Sequence, residues 1–194
     1  MILVDSQIHK WATKFHGIKP YEPEMLNPAS IDMRAGVGWI DVQYPHMKFF
    51  SVPMVVYQLT VGTMLHNAWV DMMYKAIRSD KLLYYRKPTA LLITTFESVS
   101  LPRNMCAQIK LKTTPCREGL GHPIADWVDN GFLGNLTLMI TANKTISIMP
   151  GDRICQLVLH QTITPNETYD KKGHYHNQTG VTASWRLDDE DTEH

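Results

Sequence analysis

Apolar and polar positions along this chain follow two different periods. Near the start, Ile8, Trp11, Ala12 and Phe15 fall at helical spacing, with Asp5 or Ser6 available as a cap and Gly17 as a stop. A loop rich in proline and glutamate follows, through Pro20, Pro23 and Pro28. From Ala29 the stretch ASIDMRAGVGWIDV alternates Ile31 and Met33 with Asp32 and Arg34, which predicts a half-buried strand. Strand-like apolar residues recur over 49–59. Residues 67–78 read as one amphipathic helix through Trp69, Met72, Met73, Ala76 and Ile77.

Beyond Pro88 the period changes to that of strands. ALLITTFESVSLP, NMCAQIKLK, NLTLMITA, TISIM and RICQLVLHQTI are short runs rich in β-branched residues. Turn signals separate them at Leu101-Pro102, Asn143-Lys144 and Pro150-Gly151-Asp152. Strands of this length and spacing predict a mainly β fold, a sandwich or jelly-roll-like barrel with one or two short helices. Residues 1–164 form the expected β domain, with 44–86 as an insertion carrying the longer helix. Residues 165–194 form a polar C-terminal arm that closes on the acidic tail LDDEDTEH, expected to be disordered.

Composition narrows the functional classes. The 194 residues suffice for one domain with a real core, and 19 Lys+Arg balance 19 Asp+Glu. That balance gives no basic footprint for nucleic acid. Cys106, Cys116 and Cys155 are too few and too scattered for a disulfide framework. No apolar run approaches the roughly 20 residues that span a bilayer, and the N-terminus lacks the pattern of a signal peptide. A cytoplasmic protein with no membrane association is the expectation.

Candidate chemistry concentrates in residues 111–134, LKTTPCREGLGHPIADWVDNGFLG. Lys112, Thr113, Thr114 and Arg117 gather cations and hydroxyls of the kind that suit a polyphosphate. Asp129 could orient a water or a sugar hydroxyl, and Phe132 could pack on a sugar or base. An ordinary polar loop leading into a strand has the same composition. A zinc nucleobase deaminase is excluded, because Pro115-Cys116 lacks its second cysteine and no H-x-E occurs. His174 and His176 could share a metal from one face of a strand, but no third ligand is evident.

Seven segments in order resemble the dCTP deaminase branch of the dCTP deaminase/dUTPase superfamily. MILVDSQI is similar to its opening and ASIDMRAG to its first motif, which holds Asp32. TTFESVSLP resembles the strand leading to the site, and KTTPCR resembles R-S-S-x-x-R. VDNGFLG resembles I-D-x-G-[FW]-x-G, GDRICQL resembles R-I-G-Q-L, and HYHNQTGVTAS is similar to the closing arm. The resemblance implies a distorted β-barrel of the dUTPase-like type, assembled as a homotrimer around a deoxypyrimidine nucleoside triphosphate. It also implies that Lys112, Thr113, Thr114 and Gln156 face the triphosphate, joined by Tyr175 and Gln178 from a neighbour's arm. Asp129 would bind the 3′-hydroxyl or activate water, Phe132 would pack against the sugar, and Arg117 would sit near the reacting end. Magnesium would be held by the triphosphate and waters, with Asp32 as a possible outer partner.

One departure bears on the reaction. The family strand reads like E-I-T-L-E, and its last glutamate shuttles protons; here Asn135-Leu136-Thr137-Leu138-Met139 puts a thioether there. Losing a placed acid–base costs about two to four orders of magnitude. Glu118 and Asp126 are the nearby carboxylates that could substitute. Three readings follow: a dUTP diphosphatase, favoured because it needs no such glutamate; a deaminase of dCTP or a modified dCTP; and a nucleotide-binding trimer without activity.

Overall fold

The computed structural model describes residues 1–41, 48–50, 83–85, 90–122, 125–142 and 146–186. It opens with helix α1 (Asp5–Lys14), which buries Ile8, Trp11 and Ala12. Its first helical residue is Asp5, so the cap falls one residue earlier than the pattern suggests. Val4 occupies that position, and its N–H is satisfied by Gln7 Oε1 at 3.2 Å. Phe15 is a second correction: it follows the last turn and is 62% exposed. Gly17 is required by packing, since a Cβ there would lie 2.0 Å from the Trp11 indole.

The remaining described elements are strands with two short α-helices and one 3-10 turn (Pro23–Met25) among them. The strands are β1 (Ile18–Lys19), β2 (Leu26–Asn27), β3 (Ser30–Asp41), β4 (Lys48–Phe50), β5 (Leu83–Tyr85), β6 (Leu91–Ser100), β7 (Met105–Leu111), β8 (Leu120–Gly121), β9 (Trp127–Val128), β10 (Leu133–Ala142), β11 (Ile146–Ile148) and β12 (Arg153–Gln161). Helix α2 (Thr113–Arg117) interrupts the β-rich part, and α3 (Tyr169–Lys172) opens the arm. The predicted 67–78 helix, most of the 49–59 run and the acidic tail lie outside the described residues.

Ten of the described strands form one sheet in the order β8-β10-β6-β3-β12-β7-β9, with β1 on β6 and β2 and β4 on β3; β5 and β11 pair separately. β3 bends the sheet. Its first half pairs with β12 and its second half with β6, and the register shifts between Ala35 and Trp39. A strand that changes partners through a bulge turns the corner between two packed layers. Ile31, Met33, Leu138, Ile140, Leu157 and Leu159 fill the space between those layers, each at most 2% exposed.

β3 is buried on both faces, which corrects the half-buried strand expected from its alternation. Asp32 is 1% and Arg34 2% exposed, and each is kept in the interior by partners. Arg34 donates from Nε to Glu97 Oε1 at 2.5 Å and from its backbone N–H to Oε2 at 2.8 Å. Its Nη1 reaches Glu22 at 2.7 Å, and the Phe96 ring lies 4.9 Å below the guanidinium carbon. Burial pushes the Glu97 carboxyl above its ordinary value, while the adjacent guanidinium pulls the other way. A lone charge in this core would be costly; a bidentate pair is tolerated. Among the described residues, no helix is long and apolar enough to cross a membrane.

Candidate functional site

Lys112 directly follows β7, and its N–H donates to Ile154 O at 3.0 Å. The chain then turns into α2, whose Thr113, Thr114 and Arg117 side chains are exposed. Lys112 Nζ lies 2.6 Å from Asp32 Oδ2, and Arg153 approaches the same oxygen at 3.5 Å. Asn27 Nδ2 donates to the other oxygen at 2.8 Å. Gln156, the cross-strand neighbour of Asp32, accepts from Ser30 Oγ at 3.1 Å. Lys112, Asp32 and Gln156 are thus brought together, with the two threonines and Arg117 next to them. Arg153, on the same carboxylate, adds a cation that the sequence reading left out; its signal was the arginine of GDRICQL.

The other predicted residues form a separate group. Asp129 is exposed, and one of its oxygens accepts from Trp127 Nε1 at 3.1 Å. Val128 pairs with Ala107 near the start of β7, whereas Lys112 follows the end of that strand. Five residues of extended chain separate the two levels, roughly 17 Å at the usual strand rise. Phe132 is 5% exposed and faces the Tyr169 ring at 5.7 Å, so it forms a wall rather than an open stacking surface.

Tyr175 and Gln178 fold back onto β10 of their own chain. There they close a cavity of about 280 Å³ whose floor includes Leu92, Thr137 and Met139 and whose other side includes residues 182–184 of the arm. Among the described residues, no charged side chain lines this cavity. Gln178 Nε2 donates to Asn135 O at 2.5 Å, while its Oε1 is buried without a partner. His174 and His176 lie in a turn, not on a strand, and His174 stacks on Trp185 at 4.2 Å.

Neither carboxylate proposed to replace the missing glutamate reaches Met139. Asp126 accepts from Gln108 at 2.9 Å and from Lys110 at 2.8 Å, and these donors hold it below the usual carboxylate range. Ala125 lines the cavity, and the next side chain of an extended segment turns the opposite way. Glu118 is exposed at the end of α2. The group that does approach is His122, whose Nδ1 lies 2.8 Å from Met139 O. A carbonyl only accepts, so Nδ1 carries a proton; Nε2 is buried without a partner among the described residues. No short motif flags this histidine in the sequence.

Comparison with known proteins gives the family. A dCTP deaminase-like family model matches residues 2–162. A Persephonella marina protein named "dCTP deaminase, dUMP-forming" is 33% identical over 188 residues, covering 95% of this chain and 96% of that one. A Dictyoglomus turgidum protein of the same name is 31% identical over 194 residues, covering 95% and 94%. Among solved structures, the 2'-deoxycytidine 5'-triphosphate deaminase from Agrobacterium tumefaciens superposes with a TM-score of 0.59 at 19% identity, over 82% of this chain and 48% of that one. The fold is therefore mainly β and dUTPase-like, and the chain belongs to the dCTP deaminase-like family.

Proposed function

We propose that the chain processes deoxypyrimidine nucleoside triphosphates as a dUTP diphosphatase, releasing dUMP and pyrophosphate. The carrying observation is Met139 in the cavity wall, with no carboxylate among the described residues that line it. Deamination without a metal needs a group that takes a proton from water and passes it to the ring, and a thioether does neither. Hydrolysis needs only a placed water and charge stabilisation at phosphorus. Lys112, Arg153 and Arg117 supply the cations and Thr113 and Thr114 the hydroxyls. The free oxygen of Asp129 orients the water and takes its proton as the new P–O bond forms at the α-phosphorus and the bond to the β-phosphate breaks.

Magnesium suits this reading as a passenger of the triphosphate, where it neutralises phosphate charge. Asp32 is a poor ligand for it, since Asn27, Lys112 and Arg153 already occupy both carboxylate oxygens. The distance between Asp129 and Lys112 argues that one nucleotide meets both only when a second copy supplies one of the groups. A trimer with sites between copies meets that requirement.

Deamination of dCTP is the second reading, favoured by the relatives' names and by the partnerless Nε2 of His122 beside Met139. Incubating the protein with dUTP and with dCTP, each with magnesium, separates the readings. Pyrophosphate and dUMP from dUTP, with no ammonia from dCTP, supports the diphosphatase. Ammonia from dCTP overturns it. Tight binding without turnover of either nucleotide leaves a binding protein.

A further inference from the structure

The C-terminal arm meets β10 where the pairing of β10 with β6 is irregular. The register shifts between Asn135 and Thr137, and Leu136 N–H is taken by Thr95 Oγ1 at 2.9 Å. The Asn135 backbone is thereby free to face the arm: its N–H donates to Gln178 O at 3.0 Å and its carbonyl accepts from Gln178 Nε2. The Asn135 side chain bridges β6 and the arm, donating from Nδ2 to the carbonyls of Thr95 and Glu97, each at 3.1 Å. Carbonyls only accept, so this fixes the orientation of the amide and leaves Oδ1 to accept from Gly180 N–H at 3.2 Å.

Three neighbouring contacts extend the same seam. Asn177 N–H donates to Leu133 O at 2.8 Å, and Thr182 N–H donates to Thr137 Oγ1 at 3.2 Å. At Gly134, where φ is +137°, a Cβ would stand 2.6 Å from Gln178 O. A side chain there would push the arm away. The carbonyls that Asn135 grips are themselves fixed, because Thr95 Oγ1 donates to Glu97 O at 2.8 Å and the Glu97 side chain is clamped by Arg34.

We propose that Asn135 is the positioning residue of the C-terminal arm, holding Tyr175 and Gln178 over the cavity before any nucleotide arrives. The arm is then a preformed wall, and the ordering cost that a ligand would otherwise meet on binding is already met in folding. The docking itself is independent of the proposed function; only its effect on turnover rests on the nucleotide reading.

Amide hydrogen exchange of the ligand-free protein tests this. In the unsubstituted protein, the amides of Asn177, Gly180 and Thr182 should be protected. Asn135→Ala should speed their exchange by about tenfold, the size expected for losing hydrogen bonds of ordinary strength. The β7–β12 amides should stay unchanged. Asn135→Asp should loosen the arm at least as much, because it keeps the acceptor for Gly180 but turns a carboxylate onto two carbonyls. If Asn135→Ala does not fold, Thr137→Val, which removes only the acceptor for Thr182, should loosen that amide. Unprotected arm amides in the starting protein, or protection untouched by these substitutions, overturns the proposal. Equal loosening throughout β6 and β10 does so too, since that marks a general stability effect. With dUTP as substrate, Asn135→Ala should raise KM about tenfold and move kcat little. A fall in kcat with KM fixed would overturn the positioning role. If the unsubstituted protein turns over neither nucleotide, the exchange data still decide on Asn135 and only the functional reading falls.

Discussion

Lys112 Nζ lies 2.6 Å from Asp32 Oδ2, a carboxylate in a residue only 1% exposed. The pair joins the residue that follows β7 to the start of β3 and aims the long lysine stem at one place. On the proposed reading, Asp32 positions Lys112 for a phosphate, with its own oxygens already taken by Asn27, Lys112 and Arg153. Asp32→Asn should therefore raise the nucleotide KM by about tenfold, the order of one charge-assisted bond. The magnesium concentration giving half-maximal turnover should stay within about twofold, because the metal is bound through the phosphates. A magnesium titration of both proteins checks this.

Met139 stands where an acid–base group would make the cavity a deaminase site. Met139→Glu should raise ammonia release from dCTP by about two orders of magnitude or more, while Met139→Gln should not. An ammonia assay that finds no gain would mean that cytosine does not sit against this wall.

Asp129 is exposed and accepts a hydrogen bond that an asparagine oxygen could also accept. Asp129→Asn should lower dUTP turnover by about two to four orders of magnitude and leave thermal unfolding nearly unchanged. Unaltered turnover would place water activation elsewhere.

Glu97 is completely buried opposite Arg34. Glu97→Gln removes the buried carboxylate charge that faces the Arg34 guanidinium at 2.5 Å. Urea unfolding should show a loss of about 3 kcal/mol.

Lys110 and Gln108 hold Asp126 below the usual carboxylate range. A folded-state value below the unfolded one gives stability that is complete above about pH 4 and is lost as the pH falls through the folded value. Lys110 is 46% exposed, so the effect should stay under about 1 kcal/mol. Unfolding midpoints of the Asp126→Asn variant should fall below those of the unsubstituted protein at pH 7 and meet them near pH 2.

The β-rich half of the fold was legible because strand period and turn residues are local signals: the runs in TTFESVSLP, NLTLMITA and RICQLVLHQ all became strands. The burial of β3 on both faces was not, because Asp32 and Arg34 look solvent-facing until Lys112 and Glu97 arrive from 80 and 63 residues away. For the same reason the sequence assembled Lys112, Thr113 and Thr114 correctly as neighbours but said nothing of Arg153 beside them. The glycines of VDNGFLG stood in the sequence only as part of a motif. Their spatial reason lay in the C-terminal segment, which passes so close to Gly131 and Gly134 that a Cβ would meet Thr168 or Gln178. Nothing local marks His122 or Asn135 either: His122 faces the Met139 carbonyl, and Asn135 faces those of Thr95 and Glu97.

Of the three thiols, Cys106 and Cys155 are buried and Cys116 is exposed. Cys116 lies within α2, between Thr114 and Arg117, so a single maleimide dye would attach at the edge of the cation cluster without any engineered site. Its emission would follow inorganic triphosphate, dUTP or dCTP entering that cluster in real time. The exposed thiol thus turns the native chain into its own optical reporter of nucleotide arrival.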